Sequence, residues 1–338
     1  MLMLAGLLGL AAVGGVVLMT TGGDEELDDE ADEEQLLATE QEIISIGLNQ
    51  EIDTGAALGD APPEYLVLPG TELAEPIIGG SGPDQINGYD GNDTLSGGDG
   101  NDTIHGGSGG DAMEGGAGDD LIHGEDGDDS EAGGDGDDTL FGHFGDDLMQ
   151  GGAGDDSLHG GQDDDRLDGG EGDDALHGGH GNDILTGDGG QDSLFGSFGD
   201  DLVLGLEGGI ASPLGPMAQS FDYLNGGDGD DTLLGGSGDI ITGGSGSDAM
   251  ITGDWVVDGT PVEIMDFETG VDQLLVVWNT PGGAEPSIEI NQDPNNPNAI
   301  RVTVDGQDVA VLHGVGGIQP GDISLINELS LGQAAGGA

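Results

Sequence analysis

A nine-residue period runs through the middle of the chain and constrains its fold more than any other feature. Fourteen consecutive units follow one another without insertion or deletion, from GGSGPDQIN at residues 79–87 to GSFGDDLVL at 196–204. The sixth position is Asp in all fourteen units, and the eighth is apolar in every unit except the one that contains Glu131. After a break at 205–225, three more units end at Ile251, and the middle one has eight residues. Such a period indicates a repeat architecture in which each unit stacks on its neighbours.

Each position of the unit has a predicted role. Glycine at the first, second and fourth positions permits positive φ and a tight turn that ends at the Asp. The three residues after the Asp extend as a strand, with the eighth side chain pointing inward. Two units make one coil of eighteen residues, so that turns along one edge stack at about 4.8 Å, the spacing between strands.

The charge of the chain excludes several classes of partner. Seventy residues are Asp or Glu and only two, Arg166 and Arg301, are basic, which gives a formal net charge of −68. Such a chain has no basic surface for nucleic acid or for an anionic membrane. Cysteine is absent, which excludes disulfides, and the 74 glycines carry a large ordering entropy. A multivalent cation is the expected source of compensation.

The units match the pattern GGxGxDxUx, in which U is a bulky apolar residue, and so resemble the RTX, or hemolysin-type, calcium-binding repeats. The resemblance covers residues 79–251. It implies an all-β fold, a parallel β-roll, with Ca²⁺ ions held between turn n and turn n + 2. Fourteen units then allow about a dozen Ca²⁺ sites, and twelve ions would reduce the net charge from −68 to about −44. The alternative is a disordered glycine- and aspartate-rich tract that binds calcium loosely.

The candidate metal ligands are the sixth-position aspartates. They are Asp84, Asp93, Asp102, Asp111, Asp120, Asp129, Asp138, Asp147, Asp156, Asp165, Asp174, Asp183, Asp192, Asp201, Asp231 and Asp248. Three residues depart from the pattern: Asp163 replaces a turn glycine, Glu131 occupies an inward position, and Arg166 lies next to an inward position. We expect weak or missing sites at these turns and in the short unit at 235–242.

The ninth positions of alternate units form a row on one face of the predicted roll. From residue 87 onward the row contains Asn87, His105, His123, Phe141, His159, His177 and Phe195. The segment LFGHFGDDLM at 140–149 recurs as LFGSFGDDLV 54 residues later. Duplication of a six-unit block is the preferred interpretation of this pattern. The alternative is a functional stripe, either a transition-metal or pH-sensitive surface or a docking strip.

The two flanks differ in character. Residues 1–20 carry no charged side chain and are long enough to span a bilayer. We predict an N-terminal apolar helix acting as a single-pass membrane anchor, with a signal peptide or a merely hydrophobic leader as alternatives. An acidic, largely irregular linker is expected over 21–78. Residues 252–338 lose the period and contain the predicted strands VEIMDF, DQLLVVW, SIEI, IRVTV and VAVL, with a hairpin turn at Asp305 and Gly306.

The C-terminal region resembles the segment that often follows RTX repeats. The resemblance implies a β-rich cap on the roll and a C-terminal signal for the type I secretion machinery. We therefore expect an extracellular protein, secreted or tethered at the cell surface. At low cytosolic calcium the acidic repeats would stay unfolded during export, and millimolar calcium outside the cell would fold them.

No catalytic motif is present in the sequence. HExxH, GxSxG, a phosphate loop and a cysteine nucleophile are all missing, and we expect no room for a catalytic domain in residues 1–78. The sequence therefore predicts a calcium-binding structural or adhesive protein without enzymatic activity, and it leaves the surface or matrix partner open. The alternative is a secreted enzyme or toxin-like protein whose activity lies in 252–338, with the roll as a secretion module.

Overall fold

The structure is a computed structural model that divides the chain into two units, residues 1–61 and 62–338. Of the second unit it describes residues 65–206, 221–253, 255–256, 260–278, 286–315, 317–318 and 321–326. Of the first unit it describes residues 12–13 and 16–17. All regular secondary structure in these ranges is β-strand.

In the first unit, the described residues form two short strands, β1 (Ala12–Val13) and β2 (Val16–Val17), which pair antiparallel. The predicted N-terminal helix is therefore not confirmed. The rest of the predicted anchor and the acidic part of the linker lie outside the described residues. In the part of the chain that the structure describes, no helix is long and apolar enough to cross a membrane.

The second unit is built from short strands that follow one another every nine residues through the repeats. Their bounds are β3 Val67–Pro69, β4 Pro76–Ser81, β5 Gln85–Asp90, β6 Thr94–Asp99, β7 Thr103–Ser108, β8 Ala112–Ala117, β9 Leu121–Asp126, β10 Ser130–Asp135, β11 Thr139–Phe144, β12 Leu148–Ala153, β13 Ser157–Gln162, β14 Arg166–Glu171, β15 Ala175–His180, β16 Ile184–Gly189, β17 Ser193–Phe198, β18 Leu202–Leu204, β19 Tyr223–Asp228, β20 Thr232–Leu234, β21 Ile240–Ser245, β22 Ala249–Gly253, β23 Val262–Ile264, β24 Gln273–Val277, β25 Ile288–Gln292, β26 Ala299–Val304, β27 Gln307–His313 and β28 Ile323–Ile326. The first two strands of this unit, β3 and β4, begin before residue 79.

Alternate strands belong to two different sheets. The even sheet has the order β4-β6-β8-β10-β12-β14-β16-β18-β20-β22-β24-β28, and the odd sheet has the order β3-β5-β7-β9-β11-β13-β15-β17-β19-β21-β23-β27-β26-β25. Within the repeats every pairing is parallel, and partners in the fourteen continuous units lie eighteen residues apart, as Leu140 does from Ile122 and Leu158. The predicted coil of eighteen residues and the parallel β-roll are therefore confirmed.

The strands β4 to β17, together with β19 and β21, have six residues each, twice the length predicted from the sequence, whereas β18 and β20 have three and β22 has five. A six-residue strand contains the last three positions of one unit and the first three of the next, as in β13. Exposure alternates along the strand, so that the eighth-position side chain and the first-position glycine point inward. Eighth-position residues of both sheets, such as Leu140, Met149, Leu158 and Leu167, are 0% exposed and form the core between the sheets. Each nine-residue unit thus contributes one large side chain to the core.

The glycines serve two purposes. At the second and fourth positions they adopt positive φ, for example 110° at Gly98 and 134° at Gly100. At the first position Gly97 does not, and the prediction of positive φ there is wrong. Instead, a Cβ on Gly97 would overlap the Asp102 carboxylate and would lie 2.7 Å from the Gly115 carbonyl oxygen. The first position therefore requires glycine because it has no room for a side chain.

The roll continues in register across the break at 205–225. Tyr223 pairs with Ser193, thirty residues earlier instead of eighteen, so this coil contains twelve additional residues and the register of the strands is kept. The eight-residue unit is accommodated in the same manner, because Ile240 pairs with Tyr223 at a separation of seventeen. The interruptions in the sequence thus lengthen or shorten the connections and leave the pairing of the strands intact.

The predicted C-terminal strands are confirmed and extend both sheets. β23 and β27 continue the odd sheet in parallel, β24 and β28 continue the even sheet, and β25, β26 and β27 pair antiparallel. The predicted turn between β26 and β27 has φ of 52° at Asp305 and 83° at Gly306, as a two-residue hairpin of type I′ requires. The last residues, 327–338, which would carry the predicted secretion signal, lie outside the described residues.

Candidate metal sites at the edges of the roll

The sixteen predicted aspartates lie in the turns between strands, along the two edges of the roll. The odd edge, whose turns lead into strands of the odd sheet, contains Asp84, Asp102, Asp120, Asp138, Asp156, Asp174 and Asp192. The even edge contains Asp93, Asp111, Asp129, Asp147, Asp165, Asp183, Asp201, Asp231 and Asp248. Every one of these side chains is buried, with 1–3% of its residue surface exposed.

One oxygen of each carboxylate links successive coils. Oδ1 of Asp102 accepts a hydrogen bond from the backbone N–H of Asp84, eighteen residues earlier, at 2.7 Å. Oδ1 of Asp120 accepts in the same way from Asp102, and Oδ1 of Asp165 accepts from Asp147 at 2.9 Å. The same bond recurs along both edges, so each aspartate acts as a structural connector through one of its two oxygens.

The other oxygen, Oδ2, is buried without a hydrogen-bond donor in all sixteen predicted aspartates. Buried polar atoms are nearly always paired, and an unpaired carboxylate oxygen in a low-dielectric setting is particularly unfavourable. A set of sixteen at equivalent positions is therefore not a local irregularity. It indicates that these oxygens face a positively charged ligand.

Backbone carbonyl oxygens converge on the same places. A Cβ built on Gly106 would lie 2.5 Å from Asp111 Oδ2 and 2.9 Å from the carbonyl oxygen of Gly124, one coil further along. A carboxylate oxygen and a carbonyl oxygen from different coils therefore both lie within 3 Å of the same point. Oxygen atoms of these two kinds are the ligands that hard cations such as calcium prefer.

Electrostatics along the edges is unfavourable for the ion-free carboxylates. The pKa of Asp129 and that of Asp138 are raised to about 7, and that of Asp165 to about 8. Burial is the largest cause of this rise, the backbone hydrogen bond partly opposes it, and the charges of neighbouring aspartates add to it. In the described residues a guanidinium ion pair occurs only at Arg301, with Asp293 and Asp308, far along the chain from these turns. A cation bound at the edges would restore the charged form of these groups.

Three further aspartates, which sequence analysis missed, belong to the same edges. Asp222 and Asp239 continue the odd edge and Asp272 the even edge, because their Oδ1 atoms accept from the backbone N–H groups of the preceding edge aspartates. Each is followed two residues later by an inward apolar residue, Leu224, Ile241 or Leu274, and this spacing could have identified them.

Asp239 and Asp272 differ from the sixteen in one decisive respect. Oδ2 of Asp239 accepts from the N–H of Gly236 at 2.5 Å, and Oδ2 of Asp272 accepts from the N–H of Glu268 at 2.6 Å. Both of their oxygens are therefore occupied by the protein itself. These two aspartates lie on the edges without the unpaired oxygen that marks the others.

The fifth positions add a second, exposed series of carboxylates. Oδ1 of Asp119 accepts from the backbone N–H of Asp137, and Oδ1 of Asp137 accepts from that of Asp155 at 3.0 Å. These bonds run in the opposite direction to those of the sixth position, toward the following coil. The turns are thus tied to both neighbours, and each edge has an outer row of solvated negative charge beside the buried one.

The three residues singled out as departures from the pattern are placed as follows. Asp163 adopts a left-handed conformation with φ of 77° at a turn position where other units have glycine. Arg166 is exposed on the even sheet, and Glu131 is buried in the core, 2% exposed, between Met113 and Met149 of the neighbouring coils. The weaker metal binding expected at these turns stays a prediction.

Comparison with known proteins identifies the repeats. The family model of the RTX calcium-binding nonapeptide repeat matches in overlapping copies at residues 69–104, 105–140, 132–167, 141–176, 159–194, 168–203, 219–239 and 226–254. No curated protein sequence gives a match. Among solved structures, the extracellular lipase LipA from Serratia marcescens matches with a TM-score of 0.18 and 16% identity over 82% of this chain. The chain covers 42% of that lipase, and a similarity with this TM-score supports no conclusion about the fold or activity of the present chain.

The family matches span half of the chain. They coincide with the coils whose turns carry the edge aspartates, and they include the residues on both sides of the break at 205–225. The chain therefore belongs to the family of RTX calcium-binding nonapeptide repeat proteins.

Proposed function

We propose that this chain is an extracellular calcium-binding protein whose roll folds when Ca²⁺ binds along its two edges. RTX repeats bind Ca²⁺, and proteins that contain them are typically secreted. The observation that supports the assignment of ions to particular residues is the buried, unpaired Oδ2 of the sixteen edge aspartates. About a dozen ions in the turns would provide partners for these oxygens and would remove about 24 of the chain's negative charges.

Calcium fits these places better than other common cations. The turns offer carboxylate and carbonyl oxygens and no nitrogen or sulfur ligand, and each is assembled from backbone of more than one coil. Ca²⁺ accepts six to eight oxygens in flexible geometry, whereas Mg²⁺ demands a near-ideal octahedron and keeps several waters. We therefore expect the edges to discriminate in favour of calcium.

Ion binding and folding are coupled in this proposal. The hydrophobic core contributes one large side chain for each nine-residue unit, and more than one residue in five of the chain is glycine. Apolar burial on this scale is small against the backbone entropy of ordering nine residues. Calcium supplies the missing stabilisation, so the chain passes unfolded through the type I secretion machinery and folds in the calcium-rich exterior.

The role that we propose for the folded roll is structural or adhesive, as a spacer that becomes rigid outside the cell, and without catalytic activity. The proposal is supported by the lack of a catalytic motif in the sequence. A membrane anchor in residues 1–20 would keep this spacer at the cell surface.

The difference between Asp120 and Asp239 provides a matched test. Both are buried on the odd edge and both accept a backbone hydrogen bond through Oδ1, but only Asp120 has an unpaired Oδ2. Asp→Asn replacement keeps an Oδ1 acceptor and removes the charge at either place; at Asp239 it also removes the acceptor of the Gly236 N–H group. Equilibrium dialysis of the full chain, followed by elemental analysis, counts the bound calcium in each variant.

We expect Asp120→Asn to lose one or two Ca²⁺ and to require more calcium for half-maximal folding. Asp239→Asn should retain the full number of ions. An unchanged count in Asp120→Asn, or an equal loss in both variants, would contradict the assignment of calcium to the unpaired oxygens.

A further inference from the structure

Aromatic rings stack in a continuous row on the outer face of the odd sheet. The row, which we call the ring ladder, consists of His105, His123, Phe141, His159, His177 and Phe195, all at the ninth position of their units. Neighbouring ring centroids are 4.8–5.0 Å apart, and the rings of His105 and His123 are within 3° of parallel. The spacing of parallel strands imposes this stacking, so the ladder by itself does not indicate a ligand.

Two residues beside the first part of the ladder replace the glycine of the repeat on neighbouring strands. Glu125 and His143 occupy successive second positions of the odd sheet, where most units have glycine with positive φ. Tyr89, Asp188 and Ser197 replace it as well, but each of them has glycine at the paired position of the described neighbouring strand. They adopt φ of 80° and 78°, which is unfavourable for residues with a side chain. Strain of this kind at adjacent positions is more often found at functional sites than elsewhere.

The strained residues face the histidines of the ladder. Nε2 of His143 lies 3.0 Å from Nδ1 of His123, and Oε1 of Glu125 lies 3.5 Å from Nδ1 of His105. One ligand atom each of His105, His123 and Glu125 can be chosen so that all three lie within 4.8 Å of one another. We call these four residues the quartet. The side chains of His105 and Glu125 are 37% and 47% exposed, so an ion has access from solvent.

The chain contains its own comparison for the quartet. Fifty-four residues later, three coils along the same face, His159 and His177 repeat the histidine pair with ring centroids 5.0 Å apart. The positions equivalent to Glu125 and His143 are there Gly179 and Ser197. Duplication therefore explains the histidine pairs, but it does not explain why a carboxylate and a third imidazole accompany only one of them.

We propose that the quartet of His105, His123, Glu125 and His143 binds one divalent transition-metal ion of the zinc class. Imidazole nitrogen with a carboxylate oxygen is a ligand set that suits Zn²⁺, unlike the all-oxygen turns at the edges. Two ligand atoms each about 2.0–2.1 Å from a tetrahedral ion are about 3.3–3.4 Å apart. The separations of 3.0 and 3.5 Å within the two pairs lie on either side of that value. The group whose ligand atoms all lie within 4.8 Å of one another contains His105, His123 and Glu125, so His143, which is hydrogen-bonded to His123, would complete the site by a rotation of its side chain.

The quartet lies on the face of the odd sheet, whereas the edge aspartates lie in the turns, so the two kinds of site use different residues.

The test measures zinc bound to the calcium-saturated full chain by equilibrium dialysis, with cobalt as a spectroscopic probe of the ligands. The first variant, Glu125→Gly with His143→Ser, gives the quartet the residues that the chain itself has at 179 and 197. It replaces one strained residue by glycine, so the far-UV circular dichroism in calcium should be unchanged. The matched control, His159→Asn with His177→Asn, alters two histidines of the same ladder outside the quartet.

We expect one zinc ion that is lost in the first variant and retained in the control. The Co²⁺-loaded protein should show the intense visible absorption of a four-coordinate site, and this should disappear with the zinc site. Equal zinc binding by the unaltered chain and the first variant would overturn the proposal, since zinc would then be held by carboxylates elsewhere. An equal loss of bound zinc in the control would also overturn the proposal, because stacked histidine pairs would then be sufficient to bind zinc.

Discussion

Glu131 is the one eighth-position residue of the fourteen continuous units that is not apolar, and its replacement tests the account of the core. It is 2% exposed and pairs in register with Met113 and Met149, which are 3% and 0% exposed. Burial raises the pKa of its carboxyl group well above the ordinary value, and the carboxylates of Asp147 and Asp129 raise it further. Neither of its oxygens makes a hydrogen bond of normal geometry. Glu131→Met would place a third methionine in this column.

The expected gain has two parts. Burial of a methionine side chain stabilises by about 1.5–3 kcal/mol, and removal of an unpaired buried polar group contributes about 1–3 kcal/mol. We expect a gain of about 3 kcal/mol in the free energy of unfolding, near the lower ends of both ranges. With an m-value of about 3 kcal/mol per molar urea, the unfolding midpoint would rise by about 1 M.

The assay is urea unfolding of the calcium-saturated full chain, followed by far-UV circular dichroism. Glu131→Gln serves as the matched control, because glutamine has the same length but keeps a polar end in the core. Its midpoint should rise by much less than that of Glu131→Met. A lower midpoint in Glu131→Met, or a loss of bound calcium, would refute the reasoning and would show that Glu131 serves the neighbouring turns.

Three other predictions follow from the same structure. Gly97→Ala should raise the calcium concentration needed for folding, because its Cβ would overlap the Asp102 carboxylate, whereas Gly321→Ala, which meets no atom within 4 Å, should be neutral in the same titration. Leu158→Ala should destabilise the calcium-loaded roll by about 2–5 kcal/mol in urea unfolding, since Leu158 is fully buried. After calcium removal, circular dichroism should show more β-structure at about pH 5 than at about pH 8. The folded edge aspartates have pKa values raised to about 6–8, so the stability of the ion-free roll is present at low pH and is lost as the pH rises through this range; equal signals at both pH values would contradict it.

The sequence predicted those features that each unit repeats. An Asp at every sixth position and an apolar residue at nearly every eighth were sufficient to predict the coil of eighteen residues, the inward column and the two rows of turn aspartates. These features are local to the unit, and the register of Leu140 with Leu158 confirms that the units stack as their period requires.

Features that depend on contacts between coils could not be predicted in this way. The first-position glycine resembles the second in sequence, yet Gly97 is required by the closeness of Asp102, which only the folded turn reveals. Asp239 lies outside the strict period, and it was missed because a deletion moves it by one position. The contact between His123 and His143 joins residues twenty positions apart, which neither the nine- nor the eighteen-residue spacing brings together.

The central claim is that calcium, and not the apolar core, makes this chain fold. The most direct measurement is a titration of the full chain, first freed of metal by a chelator at neutral pH, followed by far-UV circular dichroism with calcium and, separately, with magnesium. We predict a cooperative gain of β signal with calcium and little change with magnesium at the same concentration. A full β signal before any metal is added, or an equal response to both ions, would contradict the account.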